Sequence, residues 1–354
     1  MNIFFRITLV TICIGLTGPA FAAKSNSDAN KVKNDASGAY HVIKKVKLGG
    51  DGSWDYLTID GPSRRLYIGR SDRIMVVDID ADKIVGEIGD MKGVHGVTVV
   101  PELKKGFVTC GKEDLVRIFD LSTLKVTGQA ATGKKPDASL YDPASKTVFA
   151  FNHGGTTATA IDPATGKVLA QIEIGGSAEF GVTDGKGKVY VNLEDKSQVA
   201  VIDSHKRKLL STWPLTPGEG PTGLAIDVKH RRLFAGCDNQ LMVVLDADTG
   251  KVINTLPIGK GVDAAGFDPI SQNAFSSNGG DGTITVIHEK DSQTFAVLQN
   301  VQTQTGARTM ALDPKTQQIW TVTATPKETP AAQTTEHRHR EYVPDSFTAI
   351  IIGK

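Results

Sequence analysis

One polar position recurs along the chain about once in every forty residues, and the side chains it carries suit ligand or cation capture. Short apolar stretches end in aspartate at Asp60, Asp142, Asp184, Asp227, Asp268 and Asp313, and Val100 takes that place once. Five residues earlier stand Asp55, His95, Asp137, Glu179, Thr222, Asp263 and Arg308. Six of these seven are ionisable, while their neighbours are largely Val, Ala and Pro, with Trp54 the exception. If the repeats close into a ring, one such residue per repeat faces a shared space. Carboxylate oxygens and an imidazole nitrogen are the donors a divalent cation takes. Asp137, Glu179, Asp263 and His95 are therefore the metal-ligating candidates, and a divalent cation is the cofactor the ring would suit. Arg308 lies between Asp263 and Asp55 in repeat order and can offset part of their charge. A solvated rim would also be polar, so the ring points to a site without naming its ligand.

A second set of polar residues falls in turns expected to open on the same face: Arg70, Asn152, His153, Asn192, Glu194, Asn278 and Asp281. Asn152-His153-Gly154-Gly155 and Asn278-Gly279-Gly280-Asp281-Gly282 read first as tight hairpin turns. Asn152 and Asn278 join Trp54 and the ring as candidate ligand-binding residues. His337 and His339 form a His-x-His pair in a long polar segment, which is more often solvated than metal-bound. The sequence carries no Gly-x-Ser-x-Gly elbow, no His-Glu-x-x-His and no phosphate-binding loop. No catalytic residue is assigned.

The elements that must hold this ring follow from a second repeat. Aromatic residues at the centres of apolar stretches fall at Tyr67, Phe107, Phe149, Tyr190, Phe234, Phe275 and Trp320, spaced by 40 to 45 residues. An apolar strand closing in Asp follows most of them, at Asp78, Asp120, Asp162, Asp203 and Asp246. A period near forty with four short strands per unit predicts an all-β, seven-bladed β-propeller of four-stranded blades. The Asp residues are explained by the hairpin turns they open. The last unit supplies only three strands, Thr309–Asp313, Ile319–Thr323 and Phe347–Ile352. His41–Leu48 matches the missing outer strand, so the N-terminal strand should pair into the last blade and remove an open edge. Residues 40–354 are read as one propeller domain, with 325–345 a loop insertion in its last blade.

The turns Asp246-Ala247-Asp248-Thr249-Gly250-Lys251 and Asp162-Pro163-Ala164-Thr165-Gly166-Lys167, each followed by Val, resemble the YVTN family of propellers. The stretch from Gly236-Cys237-Asp238-Asn239 to Ser277-Asn278-Gly279 looks like its YncE-like subgroup. The resemblance spans about residues 40–354. It implies a WD40-like propeller that binds rather than one with an established reaction. It also carries single-stranded DNA binding, described for one relative, for which Trp54 could offer a stacking surface.

The first residues predict export. Met1–Arg6 form a short, weakly basic head, Ile7–Leu16 are nearly all apolar, and Ala20-Phe21-Ala22 fits a signal-peptidase site, with cleavage expected after Ala22. The mature protein would be periplasmic or extracellular, with a polar leader over 23–39 and no transmembrane segment. With 40 Lys and Arg against 39 Asp and Glu the chain is near neutral, which argues against nucleic acid as partner. Cys110 and Cys237 fall at one register in repeats two and five, too far apart to bond. They are expected to be buried free thiols.

Two readings of function follow. The first is an exported binding or scaffold propeller with a site for a small-molecule ligand or a partner protein on the channel-rim face. The alternative is a metal-dependent, lactonase-like hydrolase with its ion in the central channel, although the paired Asn and Asp expected of propeller lactonases are missing.

Overall fold

The aromatic residue at the centre of each repeat is the anchor of blade packing. Tyr67, Phe107, Phe149, Tyr190, Phe234, Phe275 and Trp320 all lie on the second strand of a blade and are at most 2% exposed. The computed structural model describes residues 38–327 and 341–354. They form seven four-stranded antiparallel sheets. The first blade is Trp54–Asp60, Arg65–Arg70, Arg73–Asp78 and Lys83–Ile88. Its second and third strands are buried nearly throughout, while the outer strand stays largely exposed. That gradient is what stacked blades produce, since the middle strands have a neighbouring sheet on both faces and the outer ones meet water. The innermost strands of successive blades touch in a closed circuit, and the last of them touches the first.

Closure follows the expected route. His41–Lys47 pairs antiparallel with Thr348–Gly353 as the outer strand of blade seven. Tyr40 leads into it, buried edge-on against Phe275, and exchanges backbone hydrogen bonds with the Gln299 side chain in blade six. The seam between blades one and seven is also bridged by an ion pair. Arg64 donates two hydrogen bonds of 2.8 Å to Asp313, at the end of the innermost strand of blade seven. Among the described residues, no helix is long and apolar enough to cross a membrane.

The Asp residues that close the third strands act in turns, as expected. Asp78 accepts from the amides of Asp80 and Ala81, Asp120 from those of Ser122 and Thr123, and Asp246 from those of Asp248 and Thr249. Cys110 and Cys237 are buried and free, in blades two and five. Two expectations are corrected in detail. The innermost strand of blade seven spans only Met310–Leu312, and the Thr309 hydroxyl just before it donates to the Asp55 carbonyl. The insertion expected as a plain loop starts as a ladder: Pro326 bridges Tyr342, Lys327 donates to the Glu341 carbonyl, and Val343 donates to that of Thr325. The signal sequence expected at 1–22, the leader up to residue 37, and the pair His337 and His339 lie outside the described residues.

Candidate functional site

Six of the seven innermost strands carry one extra residue at their start. Trp54 pairs with Arg70 and Leu57 with Ile68, so Asp55 and Tyr56 together oppose Gly69 alone. The same shift occurs between Val94 and Val97, Pro136 and Ser139, Ala178 and Gly181, Pro221 and Leu224, and Val262 and Ala264. A bulge of this kind twists the strand and re-aims a side chain. Here it falls on Asp55, His95, Asp137, Glu179, Thr222 and Asp263, the ring read from sequence. Side chains of the second strands then clamp the bulges of the next blade: Thr109 donates to the Asp137 carbonyl, Ser277 to that of Arg308, and Asn192 to those of Thr222 and Gly223.

The bulges bring Asp55, His95, Asp137, Glu179, Asp263 and Arg308 to one cavity of about 390 Å³, together with Tyr56, His153, Lys112 and Lys135. A single chain of contacts runs across it. His95 Nδ1 lies 2.7 Å from Asp55 Oδ2 and 2.8 Å from Asp137 Oδ1. The Tyr56 hydroxyl is 3.3 Å from Asp137 Oδ2 and 3.1 Å from Glu179 Oε2. His153 Nδ1 lies 2.8 Å from Glu179 Oε1. Five carboxylate oxygens thus converge on three groups that can each offer one hydrogen. Beside this chain, Arg308 Nε pairs with Asp263 Oδ2 at 2.9 Å, and a second guanidinium nitrogen donates to the Trp54 carbonyl.

Electrostatics reflect the crowding. Burial would lower the His95 pKa, but hydrogen bonds to Asp137 and Asp55 outweigh it and raise it to about 10. The Glu179 contact raises His153 to about 9, against the effect of burial. Burial pushes Glu179 up against the pull of His153, with the Asp137 charge adding to the rise. Asp263 is raised in the same way, burial outweighing Arg308. Burial, then Asp137 and Glu179, hold the Tyr56 phenol well above its ordinary value. Glu179 and Asp263 resist full ionisation, as groups without enough nearby positive charge do. Two donor sets stand close enough for one ion each: Asp55, His95 and Asp137, and Asp137, His153 and Glu179, every ligand atom of a set lying within 4.8 Å of the others.

Four candidates from the sequence do not line this cavity. Thr222 is buried and donates to the Val262 carbonyl. Asn152 donates to Thr157 and Thr159, and Asn278 to Thr283 and Thr285, so both brace their own hairpins. Trp54 is only 4% exposed, packed on Tyr342 and Phe347, and edges a neighbouring cavity instead. A stacking surface for a base is not free there. Arg70, from the turn set, is buried, bonded to the carbonyls of Asp51 and Ser53 and stacked on Phe347. Tyr56 was not foreseen, since it follows the ring position by one residue where most blades carry a small side chain. It spans the channel to reach Glu179 and packs on Phe180 at 5.5 Å. Its signal in the sequence was a lone tyrosine at that register.

The sheets and their shared mouth define a seven-bladed β-propeller with an ionisable cluster at one end of its channel. Among solved structures, the chain is similar to Kuenenia stuttgartiensis hydrazine synthase, with a TM-score of 0.66 over 79% of this chain and 94% of that one. The sequences are 14% identical, so the likeness is one of fold. No protein-family model matches the sequence, and no curated protein matches it.

Proposed function

We propose that this chain is an exported binding propeller of the YVTN, YncE-like kind, whose channel mouth captures a divalent cation and offers it to a small polar ligand. The observation that carries this reading is the shortage of hydrogens in the cluster: five carboxylate oxygens face one hydrogen each from His95, Tyr56 and His153. A cation would satisfy the surplus oxygens and relieve the raised carboxyl groups together. Asp137, His153 and Glu179 supply two oxygens and one nitrogen, a donor set suited to zinc or a similar ion. Lys112 and Lys135 border the same cavity, so a ligand carrying a carboxylate would meet positive charge beside the ion. Native mass spectrometry of tag-free protein purified from its own source tests this. A retained metal ion, lost on chelation, is expected. Protein of bare mass that takes up no added ion would overturn the reading and leave a partner-protein scaffold in its place.

A second reading, a metal-dependent hydrolase, is favoured by the open cavity beside the same three residues. A bound ion there would have room for a water, and such an ion lowers the pKa of its water toward neutrality. Lactone hydrolysis that needs added metal and is lost in Glu179→Gln would support it over simple capture.

A further inference from the structure

The turns that end the innermost strands follow one plan in four blades, and blade five puts an imidazole where those four put a hydroxyl. In four blades the terminal Asp accepts a hydrogen bond from a hydroxyl three residues on: Ser63 to Asp60, Ser145 to Asp142, Ser271 to Asp268 and Thr316 to Asp313, at 2.6 to 2.7 Å. In blade five the Asp is Asp227, and the residue three on is His230. A second equivalent position lies one blade further, where the third strand ends. The amides of Ile79, Leu121, Ser204, Ala247 and Glu289 all donate to a carbonyl in the first turn of their own blade. Four of these side chains are apolar or small, but Glu289 is a carboxylate, fully buried. The departures meet. Both lie at the seam of blades five and six, at the opposite end of the strands from the channel mouth.

The three side chains converge. His230 Nδ1 is 2.7 Å from Asp227 Oδ2 and 3.2 Å from Glu289 Oε1, and the three atoms lie within 4.8 Å of one another. None of them makes an aligned hydrogen bond among the described residues, and neither does Glu289 Oε2. Arg232 is close by, with its Nε and Nη1 engaged by the Ser292 carbonyl, the Arg231 carbonyl and Asp246. Two buried carboxylates and an imidazole nitrogen, close together yet unaligned for hydrogen bonding, are what a metal site without its ion looks like. Buried polar groups otherwise find partners.

We infer that Asp227, His230 and Glu289 form a second divalent-metal site that ties blade five to blade six. The donor set is one nitrogen and two oxygens. A water can complete four-coordination from the side where the His230 ring stays partly exposed, which is also the entry path. The inference stands apart from the channel-mouth reading, since no residue is shared.

The test uses tag-free full-length protein stripped with chelator and titrated calorimetrically with Zn²⁺ alone. In an Asp137→Asn background, which removes the carboxylate shared by both channel-mouth donor sets, one equivalent of zinc should still bind and should raise the melting temperature. Adding Glu289→Gln should abolish that equivalent or weaken it at least a hundredfold. The metal-free Glu289→Gln protein, nearly isosteric, should melt no lower than its parent, which separates lost binding from lost folding. No zinc uptake in the Asp137→Asn background, or uptake unchanged by Glu289→Gln, would overturn the inference.

Discussion

The ion pair at the closing seam sets a measurable share of stability. Asp313 is about 1% exposed and Arg64 about 15%, joined by two bonds of 2.8 Å. Burial alone would raise the Asp313 pKa, but Arg64, the Thr316 hydroxyl and the Lys315 amide outweigh it and hold it at about 2, from an ordinary 3.8. At 1.36 kcal/mol per unit, that depression corresponds to roughly 2 kcal/mol of stability. A depressed carboxylate gives stability that is present above its unfolded value and lost as the pH falls through its folded value. This contribution should therefore be whole above about pH 5 and gone by about pH 1. Arg64→Ala leaves a buried charge with only a hydroxyl and an amide, which should cost about 3–5 kcal/mol near neutral pH. Urea unfolding of wild type, Arg64→Ala, Asp313→Asn and the double variant gives a coupling energy, expected at about 2 kcal/mol or more. The gap between wild type and Arg64→Ala should narrow between pH 4 and pH 2. A coupling below about 0.5 kcal/mol, or a gap that persists unchanged to pH 2, would refute the reasoning.

Removing residues 41–47 strips the outer strand from blade seven and bares the edge at Ile350 and Ile352, so about half a dozen backbone hydrogen bonds, at roughly 1 kcal/mol each, are lost. The shortened chain should melt far below its parent, and equal melting would rule out closure by this strand. Cys110 and Cys237, buried and with thiols pushed up to about 12 by burial, should resist alkylation in the folded protein and both react in denaturant without reductant. No uptake in denaturant would mean a disulfide, and a misplaced blade for one of them.

The fold was legible because its signals repeat. The aromatic centres, the Asp-led turns and the three-strand last unit each recur or fail to recur at a countable spacing, so Tyr67 through Trp320 marked the blades and His41–Leu48 the closing strand. The ring was legible in register, since counting back from Asp60 or Asp268 lands on the bulge. Which ring residues share a cavity was not, because that depends on where side chains end rather than where they start. Thr222 turns its hydroxyl to a neighbouring backbone, whereas Tyr56 reaches across the channel from a position one residue away. Asn152 and Asn278 were offered both as turn residues and as ligand candidates, and the turn uses up their amide N–H groups. Glu289 left no signal of its own. It is informative only against the apolar residues at the same place in other blades, a comparison that needs the three-dimensional register.

The central claim is that the channel mouth binds a cation through Asp137, His153 and Glu179, and calorimetric titration tests it most directly. Chelator-treated, tag-free protein carrying Glu289→Gln, so that the opposite face stays silent, would be titrated with Zn²⁺, Mg²⁺ and Ca²⁺ at pH 6.5 and 8.5. One ion per chain is expected, bound more tightly at the higher pH because His153, raised to about 9, must give up its proton to bind. Adding Glu179→Gln should reduce that affinity at least tenfold without lowering the melting temperature. Binding left intact by Glu179→Gln, or no heat from any of the three ions, would contradict the account.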